Sequence, residues 1–171
     1  LTNPGNAFSG ATTLTATIGD ITFGGTVNGN LSTNAGGATS FGATTLTGGL
    51  TTTSVGDITQ TGAITTGAAS SITSSTGEIT LTNPGNAFSG ATTLTATIGD
   101  ITFGGTVNGN LSTNAGGATS FAATTVNGNL GVLSGGDITQ TGPLIVTGTS
   151  SLASTSGNIV LTDSANQFGG L

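Results

Sequence analysis

The sequence predicts an all-β chain wound as a parallel β-helix, a β-solenoid of about twenty residues per coil with an 80-residue repeat of four coils. Three observations predict it: a tandem repeat, a finer period inside that repeat, and side-chain alternation of period two.

The repeat comes first. Residues 1–41 recur letter for letter as residues 81–121, and the rest of the unit returns with substitutions, as in ATTLTGGL at 43–50 against ATTVNGNL at 123–130. The chain therefore reads as one continuous segment, 1–171, of two units (1–80 and 81–160) and the start of a third (161–171). It looks like a slice of a longer array.

The finer period rests on the motif G-[DE]-I-T, which begins at Gly19, Gly56, Gly77, Gly99 and Gly136, with the variant GNIV at Gly157. The gaps are 37, 21, 22, 37 and 21 residues. A gap of 37 holds two coils, because GATSF at 37–41 aligns with GDITF at 19–23. Four phrases then stack per unit, with Gly, Asn and Asp at corners that need positive φ or a side chain mimicking a turn.

Alternation supplies the strands. Leu14, Ala16 and Ile18 alternate with Thr13, Thr15 and Thr17, and after Gly19 Ile21 and Phe23 alternate with Asp20 and Thr22. Three inward columns are expected from the phrases: Leu14, Leu31, Leu50 and Ile72; then Ile21, Thr39, Ile58 and Ile79; then Phe23, Phe41, Gln60 and Leu81. Like over like fills a narrow interior. An antiparallel sandwich or barrel of hairpins is the competing architecture, but it does not ordinarily repeat one apolar column four times per unit.

Composition agrees with a thin core. Thr, Ser, Asn and Gly number 39, 17, 14 and 32, so 102 of 171 residues are small and polar or glycine, while the only aromatics are seven Phe. Low charge with frequent β-branched residues favours order over disorder. There is no Lys, Arg, His or Cys, and the net charge is -6. Nucleic acid and anionic lipid both recruit cations that this chain lacks, so neither is an expected partner. No apolar run reaches the length of a membrane span, so membrane insertion is not expected.

The phrases GDITF, GDITQ, GEITL and GNIVL, spaced by ATTLT-like and NGNL-like strands, make the whole chain resemble the filamentous haemagglutinin-type adhesins of two-partner secretion. That resemblance implies a right-handed parallel β-helix, display on a bacterial cell surface or secretion, and a part as stalk or filament in attachment. The family's export domain has no counterpart in these residues.

Candidate sites follow from what recurs. Asp20, Asp57, Glu78, Asp100 and Asp137 share one motif position, which marks a corner carboxylate accepting backbone N–H groups and keeping the rod soluble. Asp57, Glu78 and Asp100 fall on successive coils about 5 Å apart, so close like charges invite a cation, and calcium is the candidate for a calcium-bridged surface-layer or biofilm matrix. No cofactor is otherwise expected.

A second candidate is a face of hydroxyls. With Leu14, Ala16 and Ile18 inward, Thr15 and Thr17 point out, continued by Ser32 and Asn34, Thr51 and Thr53, then Thr73 and Ser75. Such ladders resemble the flat T-x-T faces of ice-binding solenoids and also suit a polysaccharide or host surface. Thr on an exposed strand equally serves the sheet itself.

Catalysis is not expected. Ser and Thr abound, but a nucleophile needs a base, and His, Cys and Lys are missing. Glycoside cleavage needs two carboxylates across one bond, in sites that commonly carry aromatics and cations; Arg, Trp and Tyr are absent. Two departures from the repeat remain. Leu133 and Pro143 to Val146 make an apolar patch or a repacked coil, and Asn3-Pro4-Gly5-Asn6, with its copy at 83–86, reads as a projecting turn before Phe8 and Phe88 re-enter the core. Self-association into fibres, end to end or laterally, is the expected partnership.

Overall fold

Short runs of Thr, Leu, Ile and Val separated by Gly, Asn and Asp leave each strand only a few residues before the chain must turn, and the result is a solenoid. The computed structural model describes residues 1–3 and 5–170. Among them every strand pairing is parallel, in about nine turns of about 19 residues, with no helix. Pro4 and Leu171 lie outside the described residues, so the first copy of the projecting turn is described only in part.

Each coil contributes to three faces. The first holds Thr12–Ala16, Leu31–Ala35, Leu50–Ser54, Ser70–Ser74, Thr92–Ala96, Leu111–Ala115, Leu130–Ser134 and the end of Leu144–Ser154. The second and third share one sheet. Strands such as Ile21–Val27 and Thr39–Leu46 cross both, whereas Ile58–Gln60 and Ile64–Thr66, then Ile79–Leu81 and Ala87–Ser89, serve them separately.

The corner between the second and third faces grows along each unit. Phe23 to Thr26, Phe41 to Thr45, Gln60 to Thr65 and Leu81 to Ala87 span 3, 4, 5 and 6 residues, and Phe103 to Thr106 returns to 3. The 22-residue coil carrying the widest corner thus overhangs the tightest one. Gly105 occupies the step at φ 122°, where a Cβ would lie 2.5 Å from that of Asn86. Only glycine tolerates both demands.

The core is a filament of stacked side chains. Ile21, Thr39, Ile58 and Ile79 form one column as expected, and Phe23, Phe41 and Gln60 another, with Leu81 continuing to Phe103 and Phe121. Phe23, Phe41, Phe88, Phe103 and Phe121 are fully buried, each ring contributing about 1.5 to 3 kcal/mol by transfer from water. The interior also holds hydroxyls. Ser74 and Ser154 donate to Gly56 O and Gly136 O, both at 2.8 Å, and accept from Gly77 N and Gly157 N.

Two expectations about the first face are corrected. Leu14 does not lie over Leu31. The register places Leu14 on Thr33, Thr33 on Thr52 and Thr52 on Ile72, while Thr12, Leu31, Leu50, then Thr92, Leu111 and Leu130, occupy a neighbouring column. Apolar and hydroxyl residues thus share each inward column, with Leu31 on Leu50 and Thr33 on Thr52, and Thr fits there because it matches Val in shape. Ile18 is 89% exposed and Ile98 63% exposed, not inward. The strand ends at Ala16, so the alternation does not carry through the corner that follows. In the altered coil Leu144 and Val146 turn inward and Ile145 stays half-exposed, so that coil repacks, while Leu133 remains 46% exposed.

Candidate binding surface

With the inward columns occupied, what remains for recognition is the outer side of each strand. On the first face two ladders run along the axis. One is Thr13, Ser32, Thr51, Ser71, Thr93, Ser112, Gly131, Ser151; the other is Thr15, Asn34, Thr53, Thr73, Thr95, Asn114, Leu133, Ala153. Thr15, Thr53 and Thr73 therefore share a ladder, and Thr51 belongs to its neighbour. Thr17 belongs to neither: it lies beyond the strand end, and Thr13 takes the place beside Thr15. A T-x-T pair occurs at Thr13 and Thr15, at Thr51 and Thr53, and at Thr93 and Thr95, with Asn or Ser on the intervening rungs.

The other two faces carry ladders that sequence reasoning missed. On the second, Thr22, Ser40, Thr59, Thr80, Thr102, Ser120 and Thr139 place a hydroxyl on every one of seven rungs. On the third, Thr26, Thr45 and Thr65 are followed by Ala87, then Thr106 and Thr125, then Ile145. On the second face the signal is the T that closes each G-[DE]-I-T motif, an outward rung next to the inward isoleucine. Parallel strands space these hydroxyls about 4.8 Å apart along the axis.

The acids form a corner ladder. Asp20 Oδ1 accepts from Ala38 N (2.8 Å), Asp57 from Glu78 N (2.9 Å), Asp100 from Ala118 N (2.7 Å) and Asp137 from Asn158 N (2.7 Å). Each carboxylate ties its coil to the next, with charge-assisted hydrogen bonds. Asp57, Glu78 and Asp100 do fall on successive coils, yet among the described residues no group of three or more such side chains is placed to hold a metal ion. Asn30, Asn110 and Asn129 do the same work at the opposite corner, accepting from Gly49 N, Asn129 N and Thr149 N. The NGN tripeptides at 28–30, 108–110 and 127–129 carry this role in sequence.

The projecting turn is built by Asn83, whose side chain accepts from Gly85 N at 2.9 Å and whose carbonyl accepts from Asn86 N at 3.0 Å. Thr82, Pro84 and Gly85 are exposed on it, while Phe88 is buried just beyond. In the second unit the first face also has a shallow hollow over Gly131, flanked by Ser112, Asn114, Leu133, Ser151 and Ala153. Its floor is open because nothing lies within 4 Å of where a Gly131 Cβ would sit.

Stacked parallel coils, corner ladders and a four-coil repeat define the class: a tandem-repeat β-solenoid. The profile of a family described as repeats of unknown function (DUF5649) matches residues 28–95 and 108–171, and the chain belongs to that family. The two matched blocks each take in most of one unit. No curated protein and no solved structure matches the chain.

Proposed function

We propose that the chain is a structural, non-enzymatic segment of a large secreted or bacterial cell-surface fibre, an adhesin-like stalk or filament. The observation that carries this reading is the unbroken parallel register, in which every coil hydrogen-bonds to the next along the axis and length grows with repeat number. The likeness of the GDITF and GEITL phrases to filamentous haemagglutinin-type adhesins supports the extracellular placement. The lack of His, Cys, Lys and Arg supports the absence of catalysis.

On this reading the mechanism is mechanical. Strand ladders parallel to the rod axis resist bending, and coil ends present unpaired N–H and C=O groups to which another coil can add. Atomic force or electron microscopy of arrays with increasing repeat number tests it. Rods lengthening by about 19 Å per 80-residue unit support the proposal, four rungs at about 4.8 Å each. Round particles whose diameter grows with the cube root of mass contradict it. Light scattering across concentration tests the end-to-end association, which strictly monomeric behaviour refutes.

A second reading is favoured by the seven-rung hydroxyl ladder from Thr22 to Thr139 together with the Thr13 and Thr15 face: binding of ice or of a regular polysaccharide. Ice recrystallisation and co-sedimentation with insoluble polysaccharides distinguish these. Activity lost on Thr59→Leu and Thr102→Leu, with the fold retained, supports this reading; no activity in either assay removes it.

A further inference from the structure

The first face poses a register problem that its own side chains do not solve. A slide of two residues between the coil of Leu50–Ser54 and that of Ser70–Ser74 keeps inward positions inward and places Leu50 over Ile72, apolar on apolar. The observed register instead sets Thr51 on Ser71 and Thr52 on Ile72. One unit later the register is the same, with Leu130 on Ser150 and Val132 on Leu152, but there it already sets apolar on apolar, so the conflict belongs to the first unit. Something outside this face selects the register.

That something lies between the same two coils, at the widening corner. Asn86, 1% exposed, exchanges two hydrogen bonds with Gln60: Gln60 Nε2 donates to Asn86 Oδ1 at 2.9 Å, and Asn86 Nδ2 donates to Gln60 Oε1 at 2.8 Å. Asn86 Oδ1 also accepts from Ile64 N at 3.0 Å, and Nδ2 donates to Gly104 O at 3.0 Å. One side chain thereby touches the coil before it and the coil after it. In the second unit Asn166 repeats the pair with Gln140, at 2.9 and 2.8 Å, and accepts from Leu144 N at 2.8 Å. Gln60 and Gln140 replace Phe41 and Phe121 in an otherwise apolar column, a substitution that weakens packing unless the amide has a partner.

We propose that the Gln60–Asn86 and Gln140–Asn166 amide pairs are register locks, one per 80-residue unit, that hold adjacent near-equivalent coils against a two-residue slide. A slide breaks the reciprocal pair and leaves a buried amide and the Ile64 N–H without partners, which outweighs the gain of Leu50 over Ile72. A single buried polar pair fixing registry is the best-attested use of such groups.

The chain has no cysteine, so engineered pairs report the register directly. Thr51→Cys with Ser71→Cys sits across the observed register, whereas Thr51→Cys with Thr73→Cys is offset by two residues, about 8 Å between Cα atoms and beyond disulfide reach. In the otherwise unchanged protein the 51/71 pair is expected to oxidise and the 51/73 pair to stay reduced. In Gln60→Leu/Asn86→Leu the 51/73 yield is expected to rise several-fold at the expense of 51/71. Gln60→Leu alone, with Leu placed between Phe41 and Leu81, gives the same readout if the double variant loses its β-sheet circular dichroism. A destabilised but folded variant with an unchanged partition overturns the proposal, since it makes the pair merely structural. Loss of the fold in both variants while Gln140→Leu/Asn166→Leu leaves the 131/151 and 131/153 cysteine partition unchanged overturns it equally.

Discussion

Residues 1–41 and 81–121 are identical, yet Thr33 and Thr113 sit in different surroundings, and substituting Val at each is predicted to move stability in opposite directions. Thr33 is 1% exposed and its hydroxyl donates to Thr52 Oγ1 at 3.1 Å. Thr113 is 2% exposed and lies on Val132, which occupies the place of Thr52; its Oγ1 has no partner. A buried unsatisfied hydroxyl costs about 1 to 3 kcal/mol, and a buried methyl contributes about 0.8 kcal/mol. Thr113→Val removes the first and adds the second, for a gain of about 2 to 4 kcal/mol. Thr33→Val loses a hydrogen bond and orphans Thr52, a cost of about 2 to 4 kcal/mol that the new methyl offsets by about 0.8. The net loss is about 1 to 3 kcal/mol. Val and Thr share shape and strand preference, so neither substitution perturbs packing. Urea unfolding followed by circular dichroism measures both. The midpoint is expected to rise for Thr113→Val and fall for Thr33→Val. Equal shifts of the same sign in the two variants refute the reasoning, because local sequence alone then sets the cost.

Other expectations follow from burial and the corners. Gly105→Ala is predicted to lower stability by about 2 to 4 kcal/mol, since its φ of 122° and the Asn86 contact exclude a Cβ, while Gly131→Ala over open space stays within about 0.5 kcal/mol; thermal melting separates them. Phe88→Ala, at a fully buried position, costs about 3 to 5 kcal/mol in the same assay, whereas Ile18→Ser changes little. Asp57→Ala removes the acceptor of Glu78 N and is predicted to cost about 1 kcal/mol. Calcium or a chelator leaves the melting temperature of the unaltered chain unchanged, and a calcium-dependent rise restores the acid column as a metal site.

The second-face columns were legible because Ile21, Ile58 and Ile79 are the third letter of G-[DE]-I-T and Thr39 the third letter of the aligned GATSF, so motif spacing and strand register coincide. The first face was not legible in the same way. There Leu and Thr exchange places between coils, and aligning like with like displaces Leu14 by two residues against Leu31. The register on that face does not follow the matching of like letters, and periodicity alone does not reveal it. Ile18 misled for a related reason: alternation persists in the letters after the strand has ended. The role of Asp20, Asp57, Asp100 and Asp137 as acceptors was readable from their recurrence, whereas the partners of Gln60 and Asn86, 26 residues apart, became visible only when the coils were stacked.

The winding itself is tested most directly by electron spin distances along one outward ladder. Thr15, Thr95, Asn114, Leu133 and Ala153 lie on rungs zero, four, five, six and seven of that ladder. Spin labels on Thr15→Cys paired in turn with cysteine at 95, 114, 133 and 153 should give mean separations near about 19, 24, 29 and 34 Å, a constant step of about 4.8 Å. Separations that fail to climb by an even step, or that bring the most distant pair as close as the nearest, contradict a coil stacked on coil.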